Sequence, residues 1–236
     1  MLTSFLTSFS ILIGYFVACA ATAVLIRHFV PMHDEVFRKT LHFILLGSLP
    51  IFLYGFEFWW MAAAASLLFA ILVYPALVLA ERWDGYSDLL TERSDGEVKT
   101  SLILVFGMYA FMIAVSWGWL GEPWLALAAI YAWGFGDAAA ALVGKKFGKY
   151  HLEGFTIEGR KSVEGTAAMF VVSFVTVLAV LAANASLVPV GYFVVPLVAA
   201  AATSVTELFT PGGNDTVTCP IVAAAVIFPL THLLAA

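Results

Sequence analysis

Charge is what this sequence has least of. Asp, Glu, Lys and Arg make up only 11% of its 236 residues, where a soluble domain carries about 25%. Hydrophobic residues reach 62% and the mean hydropathy is +0.97, which excludes an ordinary soluble domain. Basic residues are the scarcer sign, 11 against 16 acidic, for a net charge of -5. That balance excludes an electrostatic grip on nucleic acid. Cysteine is nearly absent. Cys19 and Cys219 stand alone in apolar runs, with no CxxC or Cys/His spacing, so neither a zinc site nor a disulfide framework is expected. No basic stretch precedes the first apolar segment, which is also too long for a cleaved signal peptide. Internal repeats and inverted pairs of Gly/Pro-broken helices are missing too, which disfavours a secondary transporter. Disorder is excluded by what is there: 20 Phe and seven Trp.

A spanning helix needs about 20 apolar residues. Eight segments qualify: 4–26, 40–56, 58–80, 101–120, 123–143, 164–184, 188–208 and 217–235. The second is short and extends naturally from Phe37. The expected fold is all-α, a polytopic membrane bundle of about eight helices forming one domain over 1–236. The connections alternate. Those at 56–58, 121–123 and 184–188 are tight, while 27–39, 81–100 and 144–163 are long and polar and hold all 11 basic residues. With eight spans these three share one face, and the positive-inside rule makes it cytoplasmic, with both termini external. The membrane is the plasma membrane if the source is prokaryotic.

Five clusters on that face carry candidate chemistry. Asp137 lies inside the fifth span, and an acid there is costly and by default functional. Ala141, Gly144 and Gly148 share its helical face, so small residues leave room for a ligand beside it. Arg160, Lys161 and Ser162 precede the sixth span. Ser162 is a natural N-cap, and two cations at a helix N-terminus suit a phosphate. Glu164 in the first turn either offsets the helix dipole or meets a phosphate through Mg2+. Gly154-x4-Gly159-Arg-Lys-Ser is near a P-loop in spacing, but a P-loop needs a preceding strand. Glu207 and Asp215 flank the turn between the last two spans. Asp215 is either a turn or helix cap or a second acid facing Asp137. Arg38 and His42 open the second span, one turn apart. Glu92 through Lys99 opens the fourth. Together these groups suit a Mg2+–nucleotide held above a lipid headgroup, since phosphoryl transfer asks mainly for positioning and charge neutralisation.

Here the chain resembles the dolichol kinase, phytol kinase and CTP-dependent diacylglycerol kinase superfamily. The resemblance rests on Gly136-Asp137-Ala-Ala-Ala, Gly144 to Gly148, and Lys161-Ser-Val-Glu164-Gly165. Arg38-Lys39-Thr-Leu-His42 is similar to the N-terminal motif of the phytol kinase branch. Glu92 to Lys99, and Glu207 through Asp215 to Pro220, fit as well, with Thr216 where the family usually has Asn. The resemblance implies transfer of the γ-phosphate of CTP, or of another nucleotide, to a lipid alcohol: phytol, a polyprenol or diacylglycerol. It implies Asp137, Lys161 and Glu164 as nucleotide and metal core, with Asp215 as second acid. The candidate Mg2+ ligands are therefore Asp137, Glu164, Asp215 and Glu207. The candidate nucleotide-binding residues are Arg38, His42, Lys145, Lys149, Arg160, Lys161 and Ser162. Phosphatidate cytidylyltransferase shares the central motif but carries late Lys-Asp and His-Gly-Gly stretches that this chain lacks. It is the alternative among enzymes, and an ion-coupled transporter using Asp137 is the alternative outside them.

Overall fold

The computed structural model describes residues 1–82, 96–152, 154, 161–211 and 213–236. Inside a bilayer every backbone polar group must be satisfied internally, which leaves the helix as the economical solution for an apolar chain. Among the described residues eight helices form: α1 (Leu2–Phe29), α2 (Asp34–Tyr54), α3 (Trp59–Ala80), α4 (Glu97–Ile113), α5 (Pro123–Phe147), α6 (Val163–Asn184), α7 (Gly191–Phe209) and α8 (Asp215–Leu233). A π-helical stretch, Ala114–Trp119, prolongs α4. All eight are long and apolar enough to cross a membrane, as the hydropathy pattern predicts. Their ends depart from the apolar runs where charge favours helix. Asp34 and Glu35 open α2 ahead of its hydrocarbon stretch, and Lys145 and Lys146 lie in the last turn of α5. Acids at an N-terminus and cations at a C-terminus both offset the helix dipole.

The chain divides into two compact units, Met1–Trp119 and Leu120–Ala236. The first is held by aromatic packing. The Phe106 ring lies 4.7 Å from that of Phe69 and 5.7 Å from that of Tyr109. The Tyr109 hydroxyl donates to the Leu45 carbonyl at 3.0 Å. Ion pairs tie the polar helix ends together: Arg27–Asp34 at 3.0 Å, Arg38–Glu97 at 2.8 Å and Lys99–Glu81 at 2.7 Å.

The second unit is held by small residues. Between helices in lipid the hydrophobic effect supplies little, so close packing and hydrogen bonds take over. A Cβ on Gly165 would stand 3.0 Å from the Ala140 carbonyl oxygen, and one on Gly144 3.2 Å from Ser162 Oγ. The Ser173 hydroxyl donates to the Ala132 carbonyl at 2.6 Å. This corrects one expectation. The face bearing Gly144 and Gly148 is filled by the start of α6 instead of being left for a ligand. Gly165→Leu is therefore expected to pry α5 and α6 apart, costing about 1–3 kcal/mol as overpacking does. Gly14→Leu on α1, where a Cβ meets nothing within 4 Å, is the matched control. Thermal unfolding in detergent checks both, and equal midpoints would remove the packing role.

Candidate active site

The loop from α5 to α6 has its two ends pinned together. Leu152 N donates to the Lys161 carbonyl at 2.9 Å, and Val163 N to the Tyr150 carbonyl at 3.0 Å. Ser162 caps α6 as its position predicts, its Oγ accepting from Gly165 N at 3.1 Å. The Glu164 carboxylate accepts from Lys149 N at 3.1 Å and Tyr150 N at 3.4 Å. Glu164 therefore clasps the loop to α6, with a further lone pair left on each oxygen.

This clasp sets the position of Lys161. Its ammonium donates to the carbonyl oxygens of Glu207, Leu208 and Thr210, the last two at 3.2 Å. It also pairs with Glu207 Oε1 at 3.2 Å, and both side chains are only 13% exposed. The reason is electrostatic. The last carbonyls of α7 lack intrahelical partners and form the negative end of its dipole. Lys161 is thus a tie between α6 and α7, a role that its sequence context did not reveal.

The acids gather beside it. Glu207 lies within electrostatic reach of Lys161, Asp137 and Asp215, and buried Cys219 within reach of the same three acids. Asp137 and Asp215 are both half-buried. Trp133, one turn before Asp137 on α5 and 3% exposed, donates its indole N–H to Asp215 Oδ2 at 3.0 Å. The turn from α7 to α8 therefore meets α5 near Asp137, about 15 Å short of the helix end at 1.5 Å per residue. The Asp137 carboxylate of α5 and the Asp215 carboxylate of α8 thus lie within electrostatic reach of Glu207 on α7, which pairs with the Lys161 ammonium from the threshold of α6.

Lys145 and Lys149 are exposed at the end of α5 and just beyond it. Arg38 and His42 belong to the first unit. Arg38 pairs there with Glu35 and Glu97, and the half-buried His42 meets Phe43 edge-on at 6.3 Å. Arg160, Glu92 and Arg93 lie outside the described residues. Trp133 went unnoticed in the sequence. The available signal was an indole N–H in an apolar span four residues before an acid, since a buried tryptophan N–H requires an acceptor.

Among the described residues no group of three or more His, Cys, Asp or Glu could hold a metal ion unaided. The donor set still fits Mg2+, which takes oxygen ligands and usually binds one or two carboxylates, with phosphate oxygens and water completing the shell. Asp137 and Asp215 would be those carboxylates.

No family model matches the sequence, and no solved structure matches it. The chain is similar to phytol kinase of Synechocystis sp., 27% identical over 237 residues that cover 93% of this chain and 89% of that protein. A similarity running almost end to end supports a relationship to the kinase superfamily that the motifs resemble.

Proposed function

We propose that the protein is a Mg2+-dependent lipid-alcohol kinase. It moves the γ-phosphoryl group of CTP, or of another nucleoside triphosphate, to the hydroxyl of an isoprenoid alcohol (phytol or a polyprenol) or of diacylglycerol. The near end-to-end similarity to phytol kinase carries this reading. The placement of Asp137 and Asp215 within electrostatic reach of the Glu207–Lys161 pair supports it.

The chemistry asks for little beyond placement and charge neutralisation. Bound Mg2+ supplies the neutralisation of phosphate charge. Asp137 and Asp215 offer it carboxylate oxygens, and Lys161 offers its ammonium to phosphate oxygens by exchanging carbonyl partners at the end of α7 for them. The apolar helices accommodate the alcohol's tail and leave its hydroxyl at the level of the acid cluster. As the new O–P bond forms and the nucleoside diphosphate leaves, the hydroxyl proton passes to a carboxylate of the cluster. The deciding experiment incubates purified protein with Mg2+, γ-labelled CTP or ATP, and a panel of lipid alcohols. The expected products are a nucleoside diphosphate and a labelled lipid phosphate. Pyrophosphate with a CDP-lipid would replace this reading with cytidylyltransferase chemistry. Nucleotide-independent flux without either product would replace it with transport.

The site is proposed to face the cytoplasm, on the strength of the one-sided basic loops. In a background lacking Cys19 and Cys219, Tyr150→Cys should react with an impermeant maleimide only after the membrane is opened. Trp119→Cys should react in intact cells. Both side chains are well exposed, at 70% and 81%, and the reverse pattern would overturn the orientation.

A further inference from the structure

The bond from Trp133 to Asp215 spans 82 residues of sequence and answers a question about the carboxylate. Asp215 opens α8, where the free N–H groups of a first turn usually attract a nearby polar side chain. Here the N-cap residue, Asn214, makes no side-chain capping bond. Just before it Gly213 has a φ of 78°, and Gly213 and Asn214 are exposed. An aspartate side chain turns about two torsions, so a carboxylate beside an exposed helix start gains a fixed orientation only from its partners. One oxygen is held by a rigid, buried indole from another helix.

We infer that Trp133 is a positioning residue, whose indole N–H fixes the Asp215 carboxylate by Oδ2 and so orients it for a divalent cation shared with nucleotide phosphate. This rests on the kinase reading and deepens it. Two observations favour a donor role over simple filling of space. Packing alone would be met by Phe, which the chain uses 20 times and which needs no buried acceptor. The same α5 turn also leads to Asp137, so a single helix supplies one acid and orients the other. Carboxylates that ligate metals are themselves commonly hydrogen-bonded, and losing such a partner typically costs about 10- to 100-fold in metal affinity.

The test uses the full chain in lipid nanodiscs and two substitutions that separate donor from bulk. Trp133→Phe keeps an aromatic ring and loses the N–H. Trp133→His loses the six-membered ring, but its Nε2 falls where the indole nitrogen was. Mn2+ binding is followed by electron paramagnetic resonance with a non-hydrolysable CTP analogue, and Mn2+ activation of turnover is measured in parallel. Trp133→Phe should weaken Mn2+ binding about 10- to 100-fold and raise the Mn2+ needed for half-maximal rate equally. Its kcat at saturating Mn2+ should stay within about threefold. Trp133→His should bind Mn2+ within about threefold of the parent, despite a lower thermal midpoint. The opposite ranking, with His damaged and Phe equal to the parent, would make Trp133 a packing residue and overturn the inference alone. A parent protein that neither binds Mn2+ nor transfers phosphate would overturn the kinase reading, and this inference with it.

Discussion

Asp137→Asn is expected to abolish turnover while leaving the protein folded. Asn is nearly isosteric with Asp, so the half-buried position on α5 is not disturbed sterically. What goes is the negative charge that a cation beside phosphate requires. The effect on stability should be neutral or favourable. Asp137 and Asp215 lie within electrostatic reach of Glu207, which pairs with the Lys161 ammonium, so neutralising one acid relieves repulsion between like charges. Loss of activity with an unchanged or raised thermal midpoint is the pattern of a residue kept for function at some cost in stability. Residual activity above about a tenth of the parent at saturating Mg2+ corresponds to a loss below about 1.4 kcal/mol. That result would remove Asp137 from the metal site and leave Asp215, Glu164 and Glu207 as the candidate ligands.

Lys161→Ala should damage both fold and activity, and the two losses can be separated. The sequence places Lys161 at a polar boundary, where truncation would cost the nucleotide site alone. The structure makes it the partner of two terminal carbonyls of α7, of the Thr210 carbonyl just beyond it and of the Glu207 carboxylate. Removing one member of a buried pair costs about 3–5 kcal/mol, because the other charge is left without compensation. The double substitution Lys161→Ala/Glu207→Gln removes that stranded charge and should recover part of the unfolding midpoint. It should not recover nucleotide use. A charged hydrogen bond to phosphate is worth about 1.5–3 kcal/mol, a ten- to hundredfold fall in kcat/KM. If the double variant handles nucleotide like the parent, Lys161 serves only to tie α6 to α7.

Local rules were readable without any structure. The eight spans follow from hydropathy, because lipid forces an apolar chain into helices of nearly fixed length. The Ser162 cap follows from a polar residue at the threshold of an apolar run. Asp137 drew attention because its cost does not depend on which helix lies opposite. The glycines illustrate the limit. Gly144, Gly148 and Gly165 announce a close approach, but the sequence does not say by what. A ligand and a neighbouring helix ask for the same absence of Cβ, and here the neighbour is α6.

Composition and charge placement by themselves determined that the chain is a helical membrane bundle and that its reactive groups cluster in a few polar turns. Those properties depend on the solvent and on neighbours along the chain. The tertiary structure decided the partners: Lys161 on the end of α7, Trp133 on Asp215, and Glu164 on the loop amides. Each partnership depends on how far a helix is rotated and shifted along its axis against the next. Rotation and shift are set by packing summed over whole helix faces, so no short stretch of sequence encodes them.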